Sequence, residues 1–233
     1  MRRIYILLVS MLMVSAMYGN EFVVDGIKYD TDVWLEDLRS GDESADKVKV
    51  LGLENPSYSG SLVIPESVTY NQKTYSVKYI KYSAFEGCAG LTSVTLPNTL
   101  LTINYGAFKD CTGLSSFNIP ASVTSIKADA FVNTAWYNSQ PDGLVYKDNV
   151  LLTRKGFWPK EALEIANGTR LIAATVFQYC FDLPSVTLPS TLEYICDAAF
   201  FQSGITSINI PASVKKNRKP DVSLLQPIRD RYC

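Results

Sequence analysis

Histidine is absent from all 233 residues, which removes the commonest general base and a principal metal ligand together. The chain also lacks a phosphate loop, a G-x-G-x-x-G turn and a C-x-x-C pair, so nucleotide, dinucleotide and thiol-redox chemistry lose their usual signatures. A serine–lysine or paired-carboxylate enzyme stays allowed, yet no residues nominate one. The reading is therefore of a protein that is not an enzyme and takes no cofactor. Charge is sparse, at 19% of residues, and sums to −1. Nucleic-acid affinity comes from neutralised phosphates and needs a basic surface, so no nucleic-acid partner is expected. After the first twenty residues no stretch approaches eighteen apolar residues, and no transmembrane segment is expected in the mature chain.

What is present is 47% hydrophobic, enough for a sizeable core. Arg2 and Arg3 precede an apolar run from Ile4 to Met13, and Val14-Ser15-Ala16 and Gly19 supply small residues for cleavage. This predicts a signal peptide over 1–19 and an exported protein, secreted, periplasmic or at the cell surface. No cysteine follows the run to carry a lipid. Acidic residues gather early, at Asp25, Asp30, Asp32, Glu36, Asp37, Asp42, Glu43 and Asp46, and basic ones late, at Lys215, Lys216, Arg218, Lys219, Arg229 and Arg231. Two readings stand, a solvated cap and tail or a charge-specific partner site. The acids Asp30, Asp32, Glu36 and Asp37 lack the glycine and alternating ligands of a calcium loop.

One phrase recurs. Ile80, Ile103, Ile126, Ile172 and Ile195 mark a beat, and five residues later stand Phe85, Phe108, Phe131, Phe177 and Phe200. The triplets Val94-Thr95-Leu96, Phe117-Asn118-Ile119, Val186-Thr187-Leu188 and Ile208-Asn209-Ile210 are each closed by proline. A repeat of this length reading L-x-x-L-x-L, as in Leu91 to Leu96, predicts a leucine-rich repeat solenoid of 23-residue period with one short strand per coil. A single coil cannot bury its own apolar edge, so stacked coils share a core. Strand stacking is expected to set each phenylalanine over the one before it.

The interval from Ile126 to Ile172 holds one triplet, Leu163-Glu164-Ile165, so it reads as one repeat with an insertion over about 133–160. Within it, Gly143 to Tyr146 and Val150 to Leu152 flank Lys147-Asp148-Asn149 as a β-hairpin, expected to project from the solenoid. Residues 20–79 read as a β cap and first coil. Phe22 to Val24 and Ile27 to Tyr29 flank the hairpin signal Asp25-Gly26, Leu62 to Pro65 reproduces the triplet, and Tyr70 to Val77 adds a second hairpin. The solenoid spans 80–214, and 215–233 is a basic tail in which Leu224, Leu225 and Ile228 are candidates to cover the last coil.

The phrase "IKYSAFEGCAGLTSVTLPNTLLT", with "VDGIKYD", "VTYNQKTYSVKYI", "TAWYNSQPDGLVYKDNVLL" and "NGTRLIAATVF", resembles the BspA-like leucine-rich repeat family. The resemblance covers Glu21 to Val214. It implies an exported surface protein of the kind found in host-associated bacteria, with adhesion to or binding of partner macromolecules as its role. The sequence departs at Gln72, where that family usually has glycine, and in the fifth unit, one residue short before Ile208.

Cys88, Cys111 and Cys180 share one beat, and coil spacing leaves their Cβ atoms ~4.8 Å apart against the ~3.8 Å a disulfide needs. They read as buried thiols. Cys196 falls off that beat at an expected exposed position, and a bond to Cys233 is one arrangement for the tail. Two surfaces are candidates for binding an extracellular protein or glycan. The strand-centre row of Val63, Thr95, Asn118, Glu164, Thr187 and Asn209 is polar and points away from the core, as a solvated face or a contact strip. The insertion concentrates Trp136, Tyr137, Tyr146, Phe157 and Trp158, which act either as interface anchors or as a mini-core for the hairpin. The rival to a binding role is a structural or assembly component of the cell envelope.

Overall fold

The computed structural model describes residues 21–31 and 46–215. Strand β1 (Glu21–Val24) turns through Asp25 and Gly26, both at positive φ, into β2 (Ile27–Asp30); a two-residue turn of this hand matches the twist of its strands. β2 pairs antiparallel with β3 (Lys47–Leu53), and β3 runs parallel to β6 (Lys73–Ile80). A second hairpin joins β5 (Ser67–Tyr70) to β6 through Asn71 and Gln72, at φ 48° and 63°. Two lanes of parallel strands follow. In one, β6 continues to β8 (Thr102–Ile103) and β10 (Ser125–Ile126), pairing Ile80 with Ile103 and Ile103 with Ile126. In the other, β4 (Gly60–Val63) is followed by β7 (Leu91–Thr95) and β9 (Ser116–Phe117).

The second half of the chain rebuilds both lanes. β11 (Gly143–Lys147) and β12 (Val150–Lys155) form an antiparallel hairpin, and β12 passes the pairing to β14 (Leu171–Ile172) and β16 (Tyr194–Ile195). β13 (Leu163–Glu164) pairs with β15 (Val186–Thr187) in the other lane. Strands stay short because each coil must bend twice. Left-handed residues stand three and seven positions after each marker isoleucine: Ser83 and Gly87, Gly106 and Asp110, Asp129 and Asn133, Thr175 and Tyr179, Ala198 and Gln202. Prolines 97, 120 and 189 follow the outer strands, where a further ladder donor is not needed.

Apolar side chains between the lanes form one buried cluster from Phe22 to Ile205. Phe85, Phe108 and Phe131 stack with centroids 5.0 and 5.3 Å apart, and Phe177 and Phe200 stack at 5.2 Å. The ladder does not run through, contrary to the sequence expectation. Phe131 turns its stack onto Phe117, 4.2 Å away, because the inserted residues part the two halves.

The halves meet through different contacts. The Ile126 carbonyl accepts from Ala174 N at 2.9 Å, the Arg170 guanidinium donates to the carbonyls of Val123 and Pro120, and Lys127 pairs with Asp197. This junction explains two further corrections. The hairpin does not project from the stack: Val150 and Leu151 are fully buried and pair with Leu171 and Ile172, so an apolar run at the end of the insertion supplies a strand to the lane. Cys196 is not exposed but 3% accessible, its Sγ 3.5 Å from Ile126 N. Its coil position faces the junction, whereas the corresponding Asn104 and Lys127 are half-buried and reach polar partners, the Ile80 carbonyl and the Asp197 carboxylate.

The triplet Ile208-Asn209-Ile210 is not in a strand. Its unit is one residue short; Ile208 still packs against the core, while Asn209 and Ile210 are exposed, Ile210 at 43%. Asp30, read as a solvated acid, is buried and 3.1 Å from Lys49 Nζ. The signal peptide, most of the early acidic cluster, the candidate cap residues Leu224, Leu225 and Ile228, and Cys233 lie outside the described residues.

Candidate binding surfaces

The strand-centre row divides into two parts. Val63 pairs with Thr95 in the first lane segment, both exposed, and Glu164 pairs with Thr187 in the second, also exposed. Asn118 is engaged rather than free. Its Oδ1 accepts from Leu96 N at 2.8 Å and its Nδ2 donates to Leu96 O at 3.1 Å, so it serves as a side-chain rung of the ladder. Below it, the Asp148 carboxylate accepts from Ile119 N at 2.8 Å and closes that strand edge. Asn209 is exposed, beyond the last paired strand of its lane.

The aromatic residues of the insertion divide in the same way. Helix α1 (Ala135–Ser139) is capped by Thr134, whose Oγ1 accepts from Tyr137 N at 3.0 Å. That cap holds Trp136 against the first half. Its N–H donates to Leu114 O and its ring meets Phe117 edge-on at 5.0 Å. Lys155 Nζ donates to the carbonyls of Tyr137, Asn138 and Gln140 and lies 5.3 Å from the Tyr137 ring. Tyr146 is half-buried with its hydroxyl accepting from Ala166 N; burial pushes its pKa up, as it does for Tyr137. Three of the five rings thus fasten the hairpin and helix to the coils. Phe157 is half-buried, and Trp158 is 59% exposed.

Trp158 is nevertheless held. Its ring lies 3.6 Å from the Arg154 guanidinium carbon, a stacked cation–π contact. Arg154 in turn donates to Val176 O, Phe157 O and Gln178 O. This fixes the tryptophan beside the turn that carries Tyr179 and Phe181, 42% and 56% exposed with centroids 6.0 Å apart. Phe201 meets Tyr179 edge-on at 6.1 Å.

Sequence reading had not singled out Tyr179, Phe181 or Phe201. A signal existed. Seven residues after the marker isoleucine the coils read Gly87, Asp110, Asn133, Tyr179 and Gln202, all left-handed. Glycine and short polar residues tolerate that conformation, whereas a bulky ring in it is an outlier. Tyr179 adopts φ 60° on an exposed turn.

Among the described residues, no group of three or more histidine, cysteine, aspartate or glutamate side chains is placed to hold a metal ion, and no helix is long and apolar enough to cross a membrane. Cys88, Cys111, Cys180 and Cys196 are buried and free. Burial pushes the Cys196 thiol up to about 11 and the Cys111 thiol up to about 12, so neither is a thiolate nucleophile near neutrality.

No curated protein matches the chain. Among solved structures, it is similar to a leucine-rich repeat protein of T. pallidum, at 23% identity and TM-score 0.41, over 75% of this chain and 68% of that one. A leucine-rich repeat protein from Bacteroides ovatus is 23% identical, with TM-score 0.38, over 83% of this chain and 60% of that one. A leucine rich cell surface protein from Faecalibacterium prausnitzii is 22% identical, with TM-score 0.38, over 86% of this chain and 50% of that one. The model of the BspA type leucine rich repeat region matches in 6 copies, over residues 61–140 and 159–220. That match covers more than half of the sequence, and the chain belongs to the BspA type leucine-rich repeat family.

Proposed function

We propose that the protein is an exported, non-catalytic binding module that recognises a protein or glycan at the cell surface, through an aromatic surface of Trp158, Tyr179 and Phe181. The observation that carries this reading is Trp158 itself. A large ring, 59% exposed, is clamped at 3.6 Å by an arginine whose remaining donors are spent on backbone carbonyls. Exposed and immobilised aromatic rings lose little freedom on binding and make good anchors for interfaces and sugar faces. Tyr179 supports the reading because its backbone conformation disfavours a bulky residue, yet the residue stays 42% exposed. The family and the predicted signal peptide support the exported location. Thr95, Glu164, Thr187 and Asn209 form a second, polar contact strip.

The test is binding of the mature chain to arrays of extracellular-matrix proteins and glycans, beside the Trp158→Ala/Tyr179→Ala variant. Saturable binding lost in the variant, with an unchanged unfolding midpoint, is the expected result. Binding that survives the double substitution overturns the assignment of the surface, and no binding by either form favours the envelope-component role.

A further inference from the structure

A separate feature lies at the opposite end of the fold. Among the described residues, β4 is the terminal strand of its lane, pairing with β7 on one side only. The other lane extends one strand further, because β3 lies beside β6. Only six residues separate β3 from β4 (Leu53 to Gly60), too few to add a strand over β4. A cleft of about 430 Å³ opens there, lined by the Asp25-Gly26 turn, Glu54, Tyr58 and β4 itself.

Four observations describe what this cleft can take. Gly60 N and Ile64 N bond towards β7; alternation along a strand therefore directs the peptide groups of Ser61 and Val63 outwards, to the free edge. The Ser61 carbonyl accepts from the Tyr58 hydroxyl at 2.5 Å, where a neighbouring strand's N–H would sit. The lining carries two carboxylates, Asp25 and Glu54, and no lysine or arginine. Tyr29, fully buried, backs the wall, and its hydroxyl has no hydrogen-bond partner.

We propose that an extended polypeptide bearing a lysine or arginine adds as a strand to the free edge of β4, with its basic side chain between Asp25 and Glu54. Strand addition draws affinity from main-chain bonds and specificity from side-chain pockets; here the edge supplies the Val63 peptide groups and the acidic cleft supplies the choice of charge. This site is independent of the aromatic surface.

The experiment uses residues 21–233 and a set of fluorescein-labelled peptides with alternating valine and threonine around a central lysine, each matched by a central-glutamate version. The lysine peptides are expected to bind at least tenfold more tightly, about 1.4 kcal/mol. Asp25→Asn/Glu54→Gln should remove that preference. Val63→Pro should abolish binding without lowering the unfolding midpoint, since it deletes an outward N–H on an edge strand, where proline is tolerated. Trp158→Ala should change nothing. Equal binding of glutamate peptides, unchanged binding to Val63→Pro, or no lysine peptide bound below about 1 mM overturns the proposal. So does self-association lost in Asp25→Asn/Glu54→Gln without peptide binding, which assigns the cleft to a second copy of the chain.

Discussion

The interrupted phenylalanine ladder makes a quantitative prediction about coupling between coils. Replacing a stacked phenylalanine by leucine keeps most of its apolar area and removes the ring. Each stacked pair is worth ~0.5–1.5 kcal/mol beyond area burial. Phe108 has ring neighbours on both sides, at 5.0 and 5.3 Å, whereas Phe200 has Phe177 alone at 5.2 Å. Phe108→Leu should therefore cost ~1–3 kcal/mol and Phe200→Leu about half that.

Double-mutant cycles separate the ladder from bulk hydrophobicity. The Phe85/Phe108 cycle should return a coupling of ~1 kcal/mol. The Phe131/Phe177 cycle should return zero within ~0.5 kcal/mol, the usual limit for independent sites, because Phe131 stacks on Phe117 instead. The assay is equilibrium urea unfolding, read by far-ultraviolet circular dichroism and by tryptophan fluorescence; coincident curves license one free energy for the whole stack. A coupling of ~1 kcal/mol or more at Phe131/Phe177 would refute the break and restore a continuous ladder. Its absence at Phe85/Phe108 would refute ring stacking as a source of stability.

Three further outcomes follow from single residues. Asn118→Ala strands both polar groups of Leu96, each bonded at about 3 Å, and should cost ~1–3 kcal/mol, whereas Thr95→Ala should stay within ~0.5 kcal/mol; equal costs in urea titrations would reject the rung. Cys196 has its pKa raised from 9.0 to about 11 by burial, so the folded state keeps the proton longer. Its contribution should be full below pH 9 and fall by ~1.4 kcal/mol per pH unit between 9 and 11, so Cys196→Ala should lose stability less steeply by that amount while the buried Cys111 keeps its own slope; identical slopes would refute the burial. Tyr179→Asn places a residue tolerant of φ 60° at a left-handed site, and should raise stability or leave it unchanged while weakening partner binding, so a loss of more than ~1 kcal/mol would show the ring to be a packing residue.

How much of this was legible in the sequence depends on whether a residue answers to its own coil or to the break. Ile80, Ile103 and Ile126 answer to their coils: identical letters on one beat pair in register. Leu151 does not share the beat, yet it enters the lane and pairs with Ile172, since the lane asks only for an apolar residue on an extended segment. Cys196 occupies a coil position that is half-buried at Asn104 and closed off where Ile126 packs on it. The burial of a repeated position is set by its neighbour in space, and at a break that neighbour is no longer the previous repeat.

The aromatic surface was hidden for a related reason. Repeat analysis rewards letters that recur, because recurrence marks the shared core. Surface chemistry sits where letters cease to recur while the backbone stays the same. At the seventh position the backbone is left-handed in every coil, and the side chain changes from Gly87 through Asp110 and Asn133 to Tyr179. Glycine, aspartate and asparagine there satisfy the turn, whereas tyrosine satisfies it poorly and presents a ring 42% exposed. The aromatic group read from the insertion mixed two kinds of residue: Trp136 packs on Phe117 as part of the fastening, and Trp158 stands outside it. In a stack of near-identical coils, a residue that fits its local conformation badly and still leaves much of its ring exposed is the stronger pointer to a partner.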